Sequence, residues 1–498
     1  MTPAPSRPVP AAPPAPPAPV APPSPPVPVP SGSSGGGVPA VPGPAGRALL
    51  PRSVPGRIRL ITAVSVLALA VLFGTLFTAA QSVRDGLDVI GHDAGPQVVA
   101  TADLYFALSD MDAQVANVLL IGGEHRLGKG RARALEVYER RRSDAGRAVL
   151  QSSALAGDDP AERRTVQAVL DGLGRYERLA ARALLLDEQA GHPAGPPPRP
   201  VLEVYREATD LMRLELLPMA YNLTLESGTV VRRAHQERTL AVRAGQVLTG
   251  IAGAAALGCL VWLQVFLARR FRRVFNPALL VATAIAGMYT LTGVAVLGQE
   301  AGVLRAAKRD GFDSVLTLAR ARAVGSSMHG DQSRWLLDPE RADTYEQTYL
   351  DKSQSVLYTP AGDLAAYQGA VKAAVDGDRA AFLGLVGQEA ARTNLPGSGP
   401  AVAAVLARYR DFQQADRTMR EAGPRRAVEQ RMGRLETAFG EYDAALLGLA
   451  ELHRGAFDRE IGNGEERIGE LWFLLPLAMA STAVMILVGV RPRLSEYR

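Results

Sequence analysis

Four long stretches of the chain carry no charged residue: Leu60–Ala80, Val247–Leu267, Val274–Leu297 and Leu471–Val490. As helices rising about 1.5 Å per residue, each reaches roughly 30 Å, the thickness of a bilayer core. The middle two flank the connector Ala268-Arg269-Arg270-Phe271-Arg272-Arg273-Val274-Phe275-Asn276. They read as a membrane hairpin of two 21-residue spans, 247–267 and 277–297. Four arginines in so short a connector mark the cytoplasmic side. Asn276-Pro277 is a helix start, because Asn accepts orphan N–H bonds and Pro at the first position loses nothing. The pattern therefore predicts a proline-rich tail over 1–56, spans at 57–80, 247–267, 277–297 and 471–490, an Arg-rich loop at 268–276 and a tail at 491–498.

Two large segments, 81–246 and 298–470, lie between these spans and read as helix almost throughout. In the first, Asp159-Pro160-Ala161-Glu162 is an N-terminal cap signature. Behind it Val166, Val169, Leu170, Leu173, Tyr176, Leu179, Ala180 and Ala183 share one helix face. Gly122-Gly123 and the loop Gly191–Pro198 break the pattern, and Pro218 predicts a kink in the helix that restarts at Pro200. In the second, Asp338-Pro339 starts a helix and a last one runs from about Arg425 into the final span. Four helices per segment, the outer ones continuous with spans, give an up-down bundle. The expected fold is all-α: four transmembrane helices carrying two extracytoplasmic helical bundles.

The two halves also correspond in order and length. The outer segments have 166 and 173 residues, and each repeats the order of span, bundle and span. Asp110-Met111-Asp112-Ala113-Gln114-Val115-Ala116-Asn117-Val118-Leu119-Leu120 and Ser327-Met328-His329-Gly330-Asp331-Gln332-Ser333-Arg334-Trp335-Leu336-Leu337 each begin 30 residues beyond their span. Tyr138-Glu139 and Tyr345-Glu346 stand at matching places. An internal duplication is expected.

Composition sharpens the topology. The net charge is +5, yet the region up to Arg59, the hairpin connector and the C-terminal tail carry +11 together, which leaves −6 for the remainder. The basic pieces fall on one membrane face, so both termini and the connector are expected in the cytoplasm and the two large segments outside it. Contact with anionic membrane lipids follows, and nucleic-acid binding does not. Residues 1–46 hold 18 of the 36 prolines, either as a disordered tail or as a docking strip for a proline-recognising partner. The single cysteine, Cys259, lies within a span, so no disulfide supports the outer bundles.

Catalytic chemistry finds no carrier. The six histidines form no i,i+4 pair and no HExxH, and there is no P-loop, Rossmann glycine pattern or GxSxG. No catalytic, cofactor-binding or metal-ligating residue is picked out, and an enzyme is not expected. Spans without Asp, Glu, Lys or Arg argue against a transporter. Gly250, Ala254 and Gly258 form a small-residue stripe suited to close helix packing. Asp110 and Asp112 mid-helix, with Arg320 and Arg322 in the second segment, are either solvated faces or a ligand-sensing face. Arg269, Arg270, Phe271, Arg272 and Arg273 are a topology anchor or a docking loop for a partner.

The stretches Ala100–Asp112 and Arg309–Arg322 resemble the first helices of four-helix-bundle sensor domains of the chemoreceptor type. The layout from residue 57 onward resembles actinobacterial four-span proteins of the GlnX type. That resemblance implies a non-enzymatic relay of external amino-acid status, from a substrate-binding lipoprotein outside to a serine/threonine kinase in the cytoplasm. Chemoreceptor-like bundles further suggest a homodimer. The competing expectation is a scaffolding protein of the cell envelope, with a transporter component third.

Overall fold

The computed structural model describes residues 54–155, 160–271, 276–377, 383–392 and 395–495. The proline-rich segment up to residue 53, the cap residue Asp159, and Arg272 and Arg273 of the connector lie outside them. Among the described residues the secondary structure is helical, with one isolated bridge between Tyr358 and Leu383.

The first half begins with α1 (Val54–Asp88), passes a widened π-type turn at Val89–Ala94, and continues as α2 (Gly95–Ile121). Gly122 ends α2 with φ +53°, a conformation that a β-carbon disfavours. A side chain there would also meet the His192 carbonyl at 2.5 Å. Helices α3 (Arg131–Leu155), α4 (Pro160–Ala190) and α5 (Arg199–Leu211) follow. A second π-type turn at Met212–Leu216 leads into the 55-residue α6 (Leu217–Phe271), so the register change falls just before Pro218.

The second half repeats this plan. Helix α7 (Pro277–Ala306) passes a π-type turn at Ala307–Phe312 into α8 (Asp313–Leu337). Then come α9 (Ala342–Val356), the short α10 (Leu364–Asp376) and α11 (Leu385–Ala390), and α12 (Ser398–Arg420). Helix α13 (Pro424–Gln430) passes a fourth π-type turn, Arg431–Leu435, into the 60-residue α14 (Glu436–Ser495). The π-type turns therefore sit at equivalent places in both halves, two just beyond the apolar stretches of α1 and α7 and two inside the helical body, ahead of α6 and α14. Asp338-Pro339 does start a helical turn, Pro339–Arg341, that leads into α9, but the Asp338 carboxylate makes no cap hydrogen bond and accepts instead from Arg206 at 2.8 Å and 2.5 Å.

The two outer segments share one hydrophobic core, running from Leu104 to Leu223 in one half and from Leu318 to Leu449 in the other. Residues Ser53–Arg498 form one compact unit, so the segments expected as separate bundles are not separate bodies. The reason is α2, which is buried nearly all round and packs against both α3 and α8. The expected face of α4 is buried at Val166, Val169, Leu173, Tyr176, Ala180 and Ala183, while Leu170 is 52% exposed.

Among the described residues, five helical stretches are long and apolar enough to cross a membrane. In Pro96–Ile121 the apolar window is 89% buried, so its apolar surface is already covered by protein. In Gly56–Asp88, Gln236–Arg269, Pro277–Leu337 and Pro424–Pro492 it is 28–33% buried. Their outward faces carry Leu67, Met288, Leu291 and Phe473, all more than 60% exposed, and this surface is compatible with a membrane protein. The four helices pack together through Leu72, Leu260, Leu279 and Ile486 at one level and Leu76, Val242, Leu297 and Leu475 at another. Gln264 donates to Leu279 O and Thr283 Oγ1, closing the hairpin. Asn276 uses its side-chain amide to reach Gly489 O at 2.7 Å, tying the hairpin tip to the end of α14.

The small-residue stripe faces outward: a β-carbon added to Gly250 or Gly258 would meet nothing within 4 Å, and Ala254 is exposed. The tight approach is at Gly253, where a β-carbon would lie 2.1 Å from Thr290 Cγ2. Thr290 Oγ1 and Cβ would lie 2.6 Å and 2.9 Å away as well, so no rotation of its side chain relieves the contact. Gly253→Leu is therefore expected to destabilise the full chain by about 1–3 kcal/mol, and Gly250→Leu to be near neutral. Thermal unfolding in detergent checks this; equal losses for both would place the helix contact elsewhere.

Candidate functional site

The outer body is held at the crossing of α2 and α8. Each contributes a run of buried polar residues: Asp110, Asp112, Gln114 and Asn117 from α2, and His329, Asp331, Gln332, Ser333 and Arg334 from α8. Small side chains allow the approach, since a β-carbon on Gly330 would lie 3.3 Å from that of Ala113. Asp112 is fully buried and accepts from four groups on three other helices: Tyr176 Oη (3.0 Å), Thr209 Oγ1 (2.7 Å), and Arg334 Nε (3.1 Å) and Nη2 (2.5 Å). Arg334 donates also to Asp331, which in turn accepts from Lys352. Burial alone would push the Arg334 guanidinium down; Asp112 and Asp331 more than offset it and hold it well above its usual range. Burial pushes the Lys352 ammonium down to about 8, against the pull of Asp331.

A second knot lies beside it. Asn117 Oδ1 accepts from Ser333 Oγ at 2.8 Å and from Arg431 Nη2 at 3.0 Å. Arg431 also donates to Glu436, 2.7 Å from His329 Nε2. Both His329 ring nitrogens face acceptor oxygens, on Gln332 and Glu436, which favours the imidazolium; burial and Arg431 oppose it and hold the pKa below its ordinary value.

Nearer the start of α2, between α2 and α3, a cleft of about 260 Å³ opens, with Arg322 of α8 reaching into it. Its floor is Phe106 of α2, whose ring carries the guanidinium of Arg322 at 3.9 Å and that of Arg141 at 4.7 Å. Arg141 donates to Asp110 at 2.6 Å and to Asp144 at 3.1 Å. Arg322 forks onto Asp443 of α14 at 2.7 Å and 3.2 Å. Asp103, Asp144 and Arg147 complete a rim of both charge signs. Such a lining suits a small charged solute, with guanidinium forks for a carboxylate and an aspartate for an ammonium group.

The sequence-proposed sensor-face residues therefore separate. Asp110 and Arg322 come together around Phe106, although Asp110 is 7% exposed and no part of a solvated face. Asp112 lies in the buried crossing. Arg320 points elsewhere: its Nε and Nη2 are buried without a partner among the described residues, its Cζ is 5.7 Å from the Tyr221 ring, and burial pushes its pKa down. Of the docking loop, Arg269 and Arg270 end α6 with Phe271, and Arg272 and Arg273 lie outside the described residues. The sequence reading missed Arg141, Asp331, Arg334 and Lys352. Arg334 carried a signal, standing between Ser333 and Trp335-Leu336-Leu337 where a solvated residue would be out of phase.

The fold and cleft define an all-helical body continuous with apolar helices, with a polar recess lined by α2, α3 and Arg322 of α8. Residues 86–236, from the end of α1 to within α6, match the family model of the actinobacterial sensor domain. The match supports a protein of the actinobacterial sensor type. No curated protein and no solved structure matches the chain.

Removing Arg334 leaves Asp112 and Asp331 buried against a single cation, Lys352. Arg334→Met is expected to destabilise the chain by about 3–5 kcal/mol. Asp112→Leu combined with Arg334→Met leaves Asp331 and Lys352 matched and is expected to recover part of that loss, which a double-mutant cycle of unfolding measures. The knots also set an acid response. Burial pushes the Asp331 and Glu436 carboxyls up, but Lys352 and Arg334 outweigh it for Asp331, and His329 and Arg431 do so for Glu436. Both are held below their ordinary values of 3.8 and 4.5. Their stabilisation is present above those values and is lost as pH falls through the lower folded-state values. Denaturation midpoints are expected to drop steeply in acid, and less steeply in the Asp331→Asn, Glu436→Gln double variant; equal slopes would assign the loss to other carboxylates.

Proposed function

We propose that this chain is a non-enzymatic transmembrane relay, in which the outer body senses a solute and the membrane helices carry the response to a cytoplasmic partner. One observation carries this reading. The cleft lies between α2 and α3, with Arg322 of α8 reaching into it, and α2 and α8 are each continuous through a π-type turn with an apolar helix, α1 and α7. A solute that altered the packing of Phe106 and Arg322 would act directly on the two helices that enter the membrane. The sensor-type family match over residues 86–236 agrees with this.

In this reading α1, α7 and the apolar parts of α6 and α14 span the membrane, and α2 does not, being covered by protein on nearly every side. The hairpin tip and the end of α14 lie together, joined by Asn276 and Gly489, which supports placing the connector and the C-terminus on one face. The arginine excess supports calling that face cytoplasmic. The solute is a small carboxylate or an amino acid, bound in the cleft directly or presented by a substrate-binding lipoprotein. The output partner, a serine/threonine kinase being the first candidate, docks on Arg269, Arg270, Phe271, Arg272 and Arg273.

Aspartate and glutamate titrated into the full chain in nanodiscs are expected to bind. Phe106→Ala and Arg322→Lys should each weaken binding about tenfold or more, since each removes part of the stacked, forked recess. Lys129→Ala, distant from the cleft, should leave it unchanged. Binding that is insensitive to both cleft variants would remove the cleft from the mechanism. Absence of binding, with no response to a solute-loaded lipoprotein, would leave the scaffolding alternative.

A further inference from the structure

Where the outer body meets the membrane helices, three side chains converge from both ends of the chain. Asp88 is the last residue of α1, His92 lies in the π-type turn after it, and Glu465 stands on α14. One ligand atom from each lies within 4.8 Å of the others, and His92 Nδ1 is 3.7 Å from Glu465 Oε1. We propose that Asp88, His92 and Glu465 bind a divalent transition-metal ion that braces the first membrane helix against the last.

The donors are free to do so. Among the described residues Asp88 has no hydrogen-bonding or ionic partner, and His92 and Glu465 have only each other. The carboxylates of the outer body differ: Asp110, Asp112, Asp187, Asp331, Asp338 and Asp443 are each held by an arginine. All three triad side chains are exposed, so rotation can close their spacing to metal–ligand bonds of about 2.0–2.2 Å. One imidazole nitrogen with two carboxylate oxygens is a borderline donor set. It suits Zn²⁺ or Mn²⁺ with water in the remaining positions, and supplies too few oxygens for a Ca²⁺ cage. A cleft of about 330 Å³, walled by Arg84, Asp88, Glu465 and Trp472, gives that water access. Nothing in the sequence signalled the site, because Glu465 is supplied from the opposite end of the chain. The competing description is a hydrated cluster of exposed charges, in which Arg84 pairs with Asp88 one turn on.

The site has a built-in reporter. Trp472 lines the cleft and packs against Phe77 of α1 with ring centroids 4.6 Å apart and the rings tilted by 37°. The experiment is titration of the untagged full chain, in phosphatidylcholine nanodiscs, with Zn²⁺ alone and Mn²⁺ alone. Heat and tryptophan emission are recorded, with Mg²⁺ and Ca²⁺ as controls. Saturable binding of one ion per chain is expected, with a change in emission. Asp88→Asn, His92→Gln and Glu465→Gln should each weaken it about tenfold or more. These exposed substitutions should leave thermal unfolding without metal unchanged, which separates lost binding from lost folding. Binding that persists in the triple variant, or no saturable binding by the wild-type chain, would overturn the proposal. Neither result bears on the solute cleft, which is built on other residues.

Discussion

The ion pair between Asp112 and Arg334 fixes how the two halves of this protein fit together. Both side chains are fully buried, so neither can fall back on water. Such a pair contributes little net stability, because desolvating two charges offsets most of their attraction. Its value lies in what it excludes. Sliding α8 along α2 by one residue would strand a carboxylate and a guanidinium in an apolar core. Tyr176 and Thr209 also donate to Asp112, so the same carboxylate fixes α4 and α5. Asp331 and Lys352 extend the constraint to α9. Apolar packing around this crossing supplies the bulk of the stabilisation, and the polar groups select one register for it.

The cleft follows from this crossing. Close approach at Ala113 and Gly330 brings α2 and α8 together, and the helices leave room for Phe106 and its two arginines further along. Each of those arginines is already paired behind the ring, Arg141 with Asp110 and Asp144, and Arg322 with Asp443. The guanidinium planes are therefore oriented before any ligand arrives, which lowers the ordering cost of binding. The long apolar helices are organised differently. Their contacts are apolar apart from a few polar ties such as Gln264 and Asn276, so their arrangement rests on shape at positions such as Gly253.

Much of the fold was legible because periodicity reports burial on one face. The helical character of the four uncharged runs over their described residues, the buried face of α4, the break at Gly122 and the last helix from about Arg425 agree with the structure. What was hidden depends on contacts between distant segments. Helix α2 is buried on nearly every side, so its aspartates show no periodic signal of being interior, and Asp110 and Asp112 were open to reading as a solvated or a ligand-sensing face. Arg334 had the opposite difficulty: its neutralising partner is 222 positions away. The stripe at Gly250, Ala254 and Gly258 was read as a packing face by residue size alone. The observed face is one step round the helix, at Ala252, Gly253 and Ala256. Leu170 shows the same limit, because an apolar residue at the edge of a helical stripe can face water.

The four π-type turns among the described residues carry one more implication. Each accommodates an extra residue within an otherwise continuous helix, and one residue is about 100° of rotation at 3.6 residues per turn. The core-facing stripes of the helical segments on either side of each turn are therefore out of phase, and the turn makes good the difference. Because the same correction occurs in both halves and at both ends of each, it works as a set of four matched phase shifters. A chain with one residue deleted from any single turn would have a more regular helix. It would also present that helix to its neighbours with the wrong side.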